Sequence, residues 1–518
     1  MSALERLIAA GLLFRQGVPP HSSYLFKHAL VQDAAYGTLL RDARKGLHAR
    51  IAETLESKFT EIAENQTELL ARHCTEAGLI EKAAGLWGKA GQRSMERSAL
   101  IEALEQLTRA LAQITTLPAT PALRREEIKL QVALITPLFH VKGYAAPETK
   151  AAIERARLLI GQAEALGEPP ADSLLLFSVL YGFWVANLIA FNGDAVRELA
   201  AEFLALAEKQ GTTVPLMVGH RLMATSLTET GDLAEGLNHY NEALALYHPR
   251  EHRPITTLFG QDIGVVILSF RSRCQWLLGY PDAALADAEH ALRSARETGQ
   301  AATIMYALFT PTWAHIHRAD YATANTLSGE LIALADEKST LFWKASGLMN
   351  KGCVLALTGQ ASDAIHTIKS GIAALRSTGA TYRGPLWLSY LATAHAELGQ
   401  LDDARRCMGE AITAIERTGE RWFEAEANRI AGEIALKSPE QDAAKTEAYF
   451  ERALTVARAQ QAKSWELRAS MSMARLWRDQ GKRDEARDLL APVYGWFTEG
   501  FDTLDLKEAK ALLDELAS

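Results

Sequence analysis

A chain of 518 residues is longer than a single compact hydrophobic core normally grows. Its 48% apolar, 23% charged and 8% aromatic residues make an ordinary soluble composition, and a formal net charge of −8 supplies no global drive toward nucleic acid or an anionic membrane. No apolar run approaches the roughly 20 residues of a membrane helix, so no membrane partner is expected. The opening Met1-Ser2-Ala3-Leu4-Glu5-Arg6 lacks the basic-then-apolar order of a signal peptide. Cys74, Cys274, Cys353 and Cys407 form no CxxC pair and read as small buried residues of a reducing cytoplasm, the expected location.

Residues 1–56 stand apart from the rest. Ser2 and Glu5 are spaced as a capping box opening a helix over 4–12. A strand over 13–16, a turn over 17–22 and a second strand over 23–27 follow, then helices over 29–40 and 41–58. Helix, hairpin, helix is the back half of a winged-helix unit. The basic run Arg41, Arg44, Lys45, His48, Arg50 admits a DNA-binding regulator as one reading and a solvated helix face as the other. Nucleic acid is not favoured, because the helix that would enter a groove, 4–12, carries only Glu5 and Arg6 as charges.

Residues 57–213 read as helical, with degenerate repeats and linkers. The pair 81–98 and 100–114 has the form of one helical hairpin, 115–121 is a proline-bearing loop, and breaks fall at 141–149 and 167–172. Residues 214–518 carry a regular repeat. Small residues recur every forty positions at Ser272, Thr312, Gly352, Ala392 and Gly432, with Ala224 and Ala474 at looser spacing. A turn glycine follows seven residues after most of them (Gly231, Gly279, Gly359, Gly399, Gly481), with Ala319 substituting once. Further small residues come on the second helix at Gly236, Ala284, Ala324, Ala364, Ala404 and Ala486, and each unit closes on a stop such as Gly299, Ser339, Gly379 or Gly419. Small residues where two antiparallel helices cross let their backbones approach, and a glycine at the turn tolerates the left-handed conformation that ends a helix. The insert 247–264 is expected to be the longest irregular stretch. A last helix opening at Asp505, with polar Lys507, Glu508, Lys510 and Asp514, suits a terminal cap.

The segments GQLDDA (399–404) and GQASDA (359–364) resemble the turn of the tetratricopeptide repeat, here lengthened from the usual 34 residues to 40. The expected fold is therefore all-α: a tetratricopeptide-like helical-hairpin solenoid, or superhelix, with a small N-terminal partial winged-helix segment. Beyond the repeat, YLFKHALVQDAAY (24–36), KGYAAPE (142–148), GQDIGVV (260–266), QAKSWELR (461–468) and YGWFTEGFDT (494–503) resemble the C-terminal part of a bacterial family of multidomain proteins. That family combines a class III adenylate/guanylate cyclase domain, an AAA/STAND-type ATPase domain and a tetratricopeptide tail. The domains that carry its activities have no counterpart in these residues, and of the winged helix only the final helix and wing correspond. Leu7, Ile8, Leu12 and Phe14 would then lack their usual apolar cover, so 1–56 is expected to be poorly anchored or docked on another chain or on the array.

Motifs for chemistry are missing. Gly481-Lys482-Arg483 and Gly88-Lys89-Ala90 lack the rest of a phosphate loop. His248 and His252 are separated by Pro249, and His315 and His317 diverge on a helix, so neither pair suggests a metal site. No cofactor is called for. The resemblance implies that the first helix of each unit lines a concave face, which makes Trp343, Asn350, Trp387 and Tyr390 candidate groove residues. The function expected is a non-catalytic protein-interaction and regulatory scaffold. Its partner would be a protein or peptide in the groove, with an ATPase or cyclase chain as a further possible associate. The enzyme reading, a cyclase by family, is the alternative.

Overall fold

The computed structural model describes residues 3–17, 22–168, 172–438 and 443–518. Ser2 of the expected capping box, 18–21 of the expected turn and 169–171 of the expected break lie outside the described residues. The chain forms two compact units, Met1–Gln92 with Glu105–Leu123, and Arg93–Leu104 with Arg124–Ser518.

The first unit opens with a helix, Ala3–Ala9, and an antiparallel hairpin that pairs Leu13–Gln16 with Ser23–Phe26 in the register Leu13↔Phe26 to Gln16↔Ser23. Helices Ala29–Gly37 and Arg41–Lys58 follow, so the helix–hairpin–helix order stands where the alternation placed it. The opening helix buries none of its residues. Leu7 and Phe14 are exposed, Ile8 and Leu12 half-buried, and Leu13 alone of the two strands is buried. Helix Arg41–Lys58 buries only Ala52, and its Arg44 stacks 5.2 Å from the Tyr36 ring.

The second unit is built from helical hairpins. Among the described residues, eight follow one another from Leu174 onward, including Thr213–Thr230 with Leu233–Ala245, Leu341–Leu357 with Ala361–Ser377, and Gly384–Glu397 with Leu401–Thr418. The two helices of a hairpin differ in character. Leu401–Thr418 buries Ala404, Cys407, Met408, Ala411 and Ile415, one stripe at helical spacing, and leaves Asp402, Arg405, Arg406 and Glu410 exposed. Its partner Gly384–Glu397 buries Pro385 to Leu391 without interruption, because it is packed on every side. First helices therefore form an inner layer and second helices an outer one.

The fortieth-residue beat is the hairpin crossing. A methyl group on Gly352 would lie 2.5 Å from Ile368, and one on Gly432 would lie 2.4 Å from Phe450. Ser272 donates its hydroxyl to the Ala284 carbonyl at 2.6 Å. The turn glycines from Gly231 to Gly481 all have positive φ, and Ala319, which takes the place of one, adopts φ 62° regardless. In the unit that contains Thr312, the first helix is split into Ala301–Phe309 and Thr312–His317, because Pro311 has no N–H to continue the ladder.

The insert 247–264 is less irregular than its prolines suggest. It holds short helical turns at Pro249–His252, Arg253–Ile255 and Thr256–Phe259, fixed by the Tyr247 hydroxyl donating to Asp262 at 2.9 Å. The final helix, Leu504–Ala517, starts one residue ahead of the expected Asp505, with Thr503 as its N-cap. It buries Leu506, Ala509, Leu512 and Leu516 and exposes Lys507, Glu508, Lys510 and Asp514, the face of a solenoid cap. Among the described residues no helix is long and apolar enough to cross a membrane.

Candidate functional site

The inner layer coils back on itself. The last carbonyls of a helix have no partner within it, and here they find partners a full turn of the superhelix away. Ile189, ending its helix, accepts from the amides of Thr381 and Tyr382 at 2.9 and 3.0 Å. One repeat later, Glu229 accepts from the amides of Arg421 and Trp422 at 2.9 and 3.2 Å. A third rung runs from the Ser464 hydroxyl to the Trp276 carbonyl, 188 residues away in sequence. These rungs seal the side chains of the first helices inside the coil.

What they enclose is aromatic and basic. Trp184, Trp313, Trp343, Trp422, Trp465 and Arg383 are among the largest fully buried side chains. The arginines are held in two ways. Arg273 pairs with Glu229, and the Tyr382 hydroxyl donates to the same carboxylate oxygen. Arg221 and Arg383, also buried, are in no salt bridge among the described residues. Instead their guanidinium planes lie over rings. Arg221 is 5.5 Å from Tyr181 and 5.0 Å from Trp184, and Arg383 is 4.7 Å from Phe309 and 5.2 Å from Tyr382.

Two buried glutamates respond oppositely to this interior. Glu420 accepts the Arg383 amide at 2.9 Å and the Trp422 indole N–H at 3.2 Å. Burial, reinforced by the Glu229 carboxylate, pushes its pKa up to about 8. Burial would raise Glu426 as well, but Arg429, bidentate at 2.8 Å, and Arg468 hold it below the ordinary carboxylate range.

Two hollows result. A cavity of about 40 Å³ is walled by Tyr144, Tyr181, Trp184, Trp343, Trp387 and their neighbours, with Arg221 and Arg383 as its charged groups and no Asp or Glu in its lining. A groove of about 220 Å³ is walled by Tyr321, Tyr390, Arg429, Arg468 and Arg475 with Glu426, Asp505 and Glu508 among them. Arg468 spans that groove, donating to Asp505 at 2.8 Å while stacked on Trp276 and Trp465.

The four candidate groove residues do not form one surface. Trp343, Asn350, Trp387 and Tyr390 are 2%, 0%, 2% and 4% exposed. Trp343 and Trp387 wall the cavity and Tyr390 walls the groove. Asn350 lines neither hollow and uses its side-chain amide to hold the Phe309 carbonyl at 3.0 Å. Arg221, Arg273 and Arg383 escaped the sequence reading. A usable signal was present for the first two: each is an arginine in a first helix, within a run that offers no polar face. Of the two histidines two apart, His315 pairs with Asp320 at 3.1 Å. His317 stacks on Trp276 with ring centroids 3.7 Å apart, and among the described residues no cluster of three potential ligands could hold a metal ion.

Residues 386–418 match the tetratricopeptide repeat family. Over 480 residues the chain is 26% identical to an uncharacterized protein of Rhizobium meliloti (strain 1021), covering 92% of this chain and 45% of that protein. The chain thus spans less than half the length of the curated relative it matches. Among solved structures, a Rap protein complexed with Competence and Sporulation Factor superposes with a TM-score of 0.50 at 12% identity, over 76% of this chain and 99% of that one. A STAND-class ATPase with a tetratricopeptide repeat sensor from Pyrococcus horikoshii covers 80% of this chain and 54% of its own at 11% identity, but its TM-score of 0.34 is too low to bear on the ATPase expectation. The hairpins, their left-handed turn residues and the family match agree on one conclusion: this is an all-α protein whose array is a tetratricopeptide-like helical solenoid containing a tetratricopeptide repeat at residues 386–418.

Proposed function

We propose that the protein is a non-catalytic regulatory scaffold that receives a protein or peptide partner in the groove walled by Tyr321, Tyr390, Arg429, Arg468 and Arg475. The observation that carries this reading is the groove itself. It opens on the inner layer, is wide enough for side chains, and interleaves basic with acidic groups around aromatic rings, which suits a partner segment of mixed charge. The supporting argument from fold is that a solenoid exposes extended surface while each repeat packs only on its neighbours. The array would bias an ATPase or cyclase chain of the kind the sequence resemblance implies, and residues 1–56 would be the remnant of the winged helix that follows the ATPase. The test is to add the purified array to such a chain and follow ATP turnover and cyclic nucleotide formation. A changed rate, lost in Tyr390→Ala, is expected; an unchanged rate refutes the regulatory role. Cyclic nucleotide formed by this chain alone with ATP and Mg²⁺ would refute its non-catalytic character.

A further inference from the structure

We propose that the cavity between Arg221 and Arg383 is a receptor site for a small organic carboxylate, its charge held by the two guanidinium groups and its apolar body by the aromatic wall. The site is separate from the partner groove and independent of what occupies that groove.

The argument starts from Arg383. It is 1% exposed, and none of its three guanidinium nitrogens has a hydrogen-bond partner among the described residues. Leaving a buried cation without hydrogen bonds is among the costlier arrangements a fold can retain. Its backbone adds to the cost, with φ at 61° in a non-glycine residue. The rings of Phe309 and Tyr382 stabilise the face of the guanidinium plane, but its N–H groups point along the plane and need acceptors there. The nearest buried carboxyl available, Glu420, is occupied with the Arg383 amide and the Trp422 indole. Arg221, which lines the same cavity, lies over Tyr181 and Trp184 with its Nε alone unpartnered among the described residues.

The cavity supplies the rest of the specification. No acidic residue lines it, so the two positive charges are uncompensated at its surface. Its volume of about 40 Å³ is that of a few waters, which limits the ligand to a few heavy atoms. A planar carboxylate fits the guanidinium fork; phosphate fits it too, but inorganic phosphate has no apolar body to set against the rings. An apolar body matches walls that are chiefly indole and phenyl rings. A further hollow of about 170 Å³ shares Leu375, Ala380, Tyr382 and Trp387 with the cavity and lies beside the rung from Ile189 to Thr381.

The test uses the intact chain, with isobutyrate and its neutral isostere isobutyramide as probes, read by thermal melting and by quenching of the wall tryptophans. Isobutyrate is expected to raise the melting temperature and change the fluorescence saturably, and isobutyramide to do neither. Arg383→Met should weaken isobutyrate at least tenfold while keeping the helical circular dichroism. If isobutyrate and isobutyramide act alike, or neither acts, the proposal fails. If inorganic phosphate acts and isobutyrate does not, the carboxylate assignment fails. Because the probe comparison is made on the unaltered protein, misfolding of the variant would leave the test decisive.

Discussion

The same substitution, glycine to alanine, is expected to have opposite effects at two positions of adjacent repeats. Gly432 lies in helix Glu424–Leu436 at the hairpin crossing, and an added methyl there would sit 2.4, 2.7 and 3.0 Å from three atoms of the Phe450 ring. Phe450 cannot retreat: it is fully buried in a cluster with Ala453, Leu454, Ala469, Met473 and Leu476. Overpacking of this kind costs about 1–3 kcal/mol. Replacing glycine inside a helix returns about 1 kcal/mol in backbone terms. Gly432→Ala should therefore destabilise by about 1 kcal/mol net, and more if the ring holds its place. Gly409, in helix Leu401–Thr418, is exposed and has no atom within 4 Å of the added methyl, so Gly409→Ala should stabilise by about 0.5–1 kcal/mol. Urea unfolding followed by circular dichroism measures both as shifts in midpoint at constant slope. A Gly432→Ala midpoint at or above that of Gly409→Ala would refute the assignment of the beat to tight crossings.

Three other outcomes are expected. Glu420, raised to about 8 in the folded protein, keeps a proton that the unfolded chain releases above 4.5, so stability falls as pH rises between those values, by at most about 1.4 kcal/mol per pH unit, and is level above them; Glu420→Gln should remove that slope from urea midpoints taken at pH 5 to 9, and an unchanged slope would contradict it. Arg273→Met should cost about 3–5 kcal/mol by stranding the buried Glu229 carboxylate, and the double variant Arg273→Met with Glu229→Leu should recover most of the loss in a double-mutant cycle. Ala319→Gly, relieving φ 62° at a turn where the other repeats carry glycine, should raise stability by about 1 kcal/mol, and a lowered unfolding midpoint would count against strain there.

Local order was legible in the residues. The forty-residue period, the crossings at Ser272, Thr312, Gly352, Ala392 and Gly432, the left-handed turns and the hairpin of the first unit all follow from preferences acting over one or two helical turns or a strand pair. Even the exception at Ala319 and the closing Ser339 obey the backbone the period demands, with φ of 62° and 54°. The insert 247–264 carries only turns of three or four residues, and its Pro249 and Pro254 stand at the starts of two of them, where a missing N–H costs nothing.

The interior was not legible, and the reason is distance along the chain. Trp343 and Trp387 share a cavity wall, Tyr390 faces another hollow and Asn350 is spent on packing, although all four lie on first helices. Which side a first-helix residue faces depends on the pitch of the coil, and pitch is set by contacts such as Thr381 to Ala190, 191 residues apart. In sequence, Arg221 and Arg273 stand out only as arginines within first helices, and Arg383 does not stand out at all. Periodicity by itself determined that this chain is a stack of helical hairpins. Tertiary closure decided that three of its arginines are buried together, that only one of them meets a carboxylate, and hence where its interior is charged.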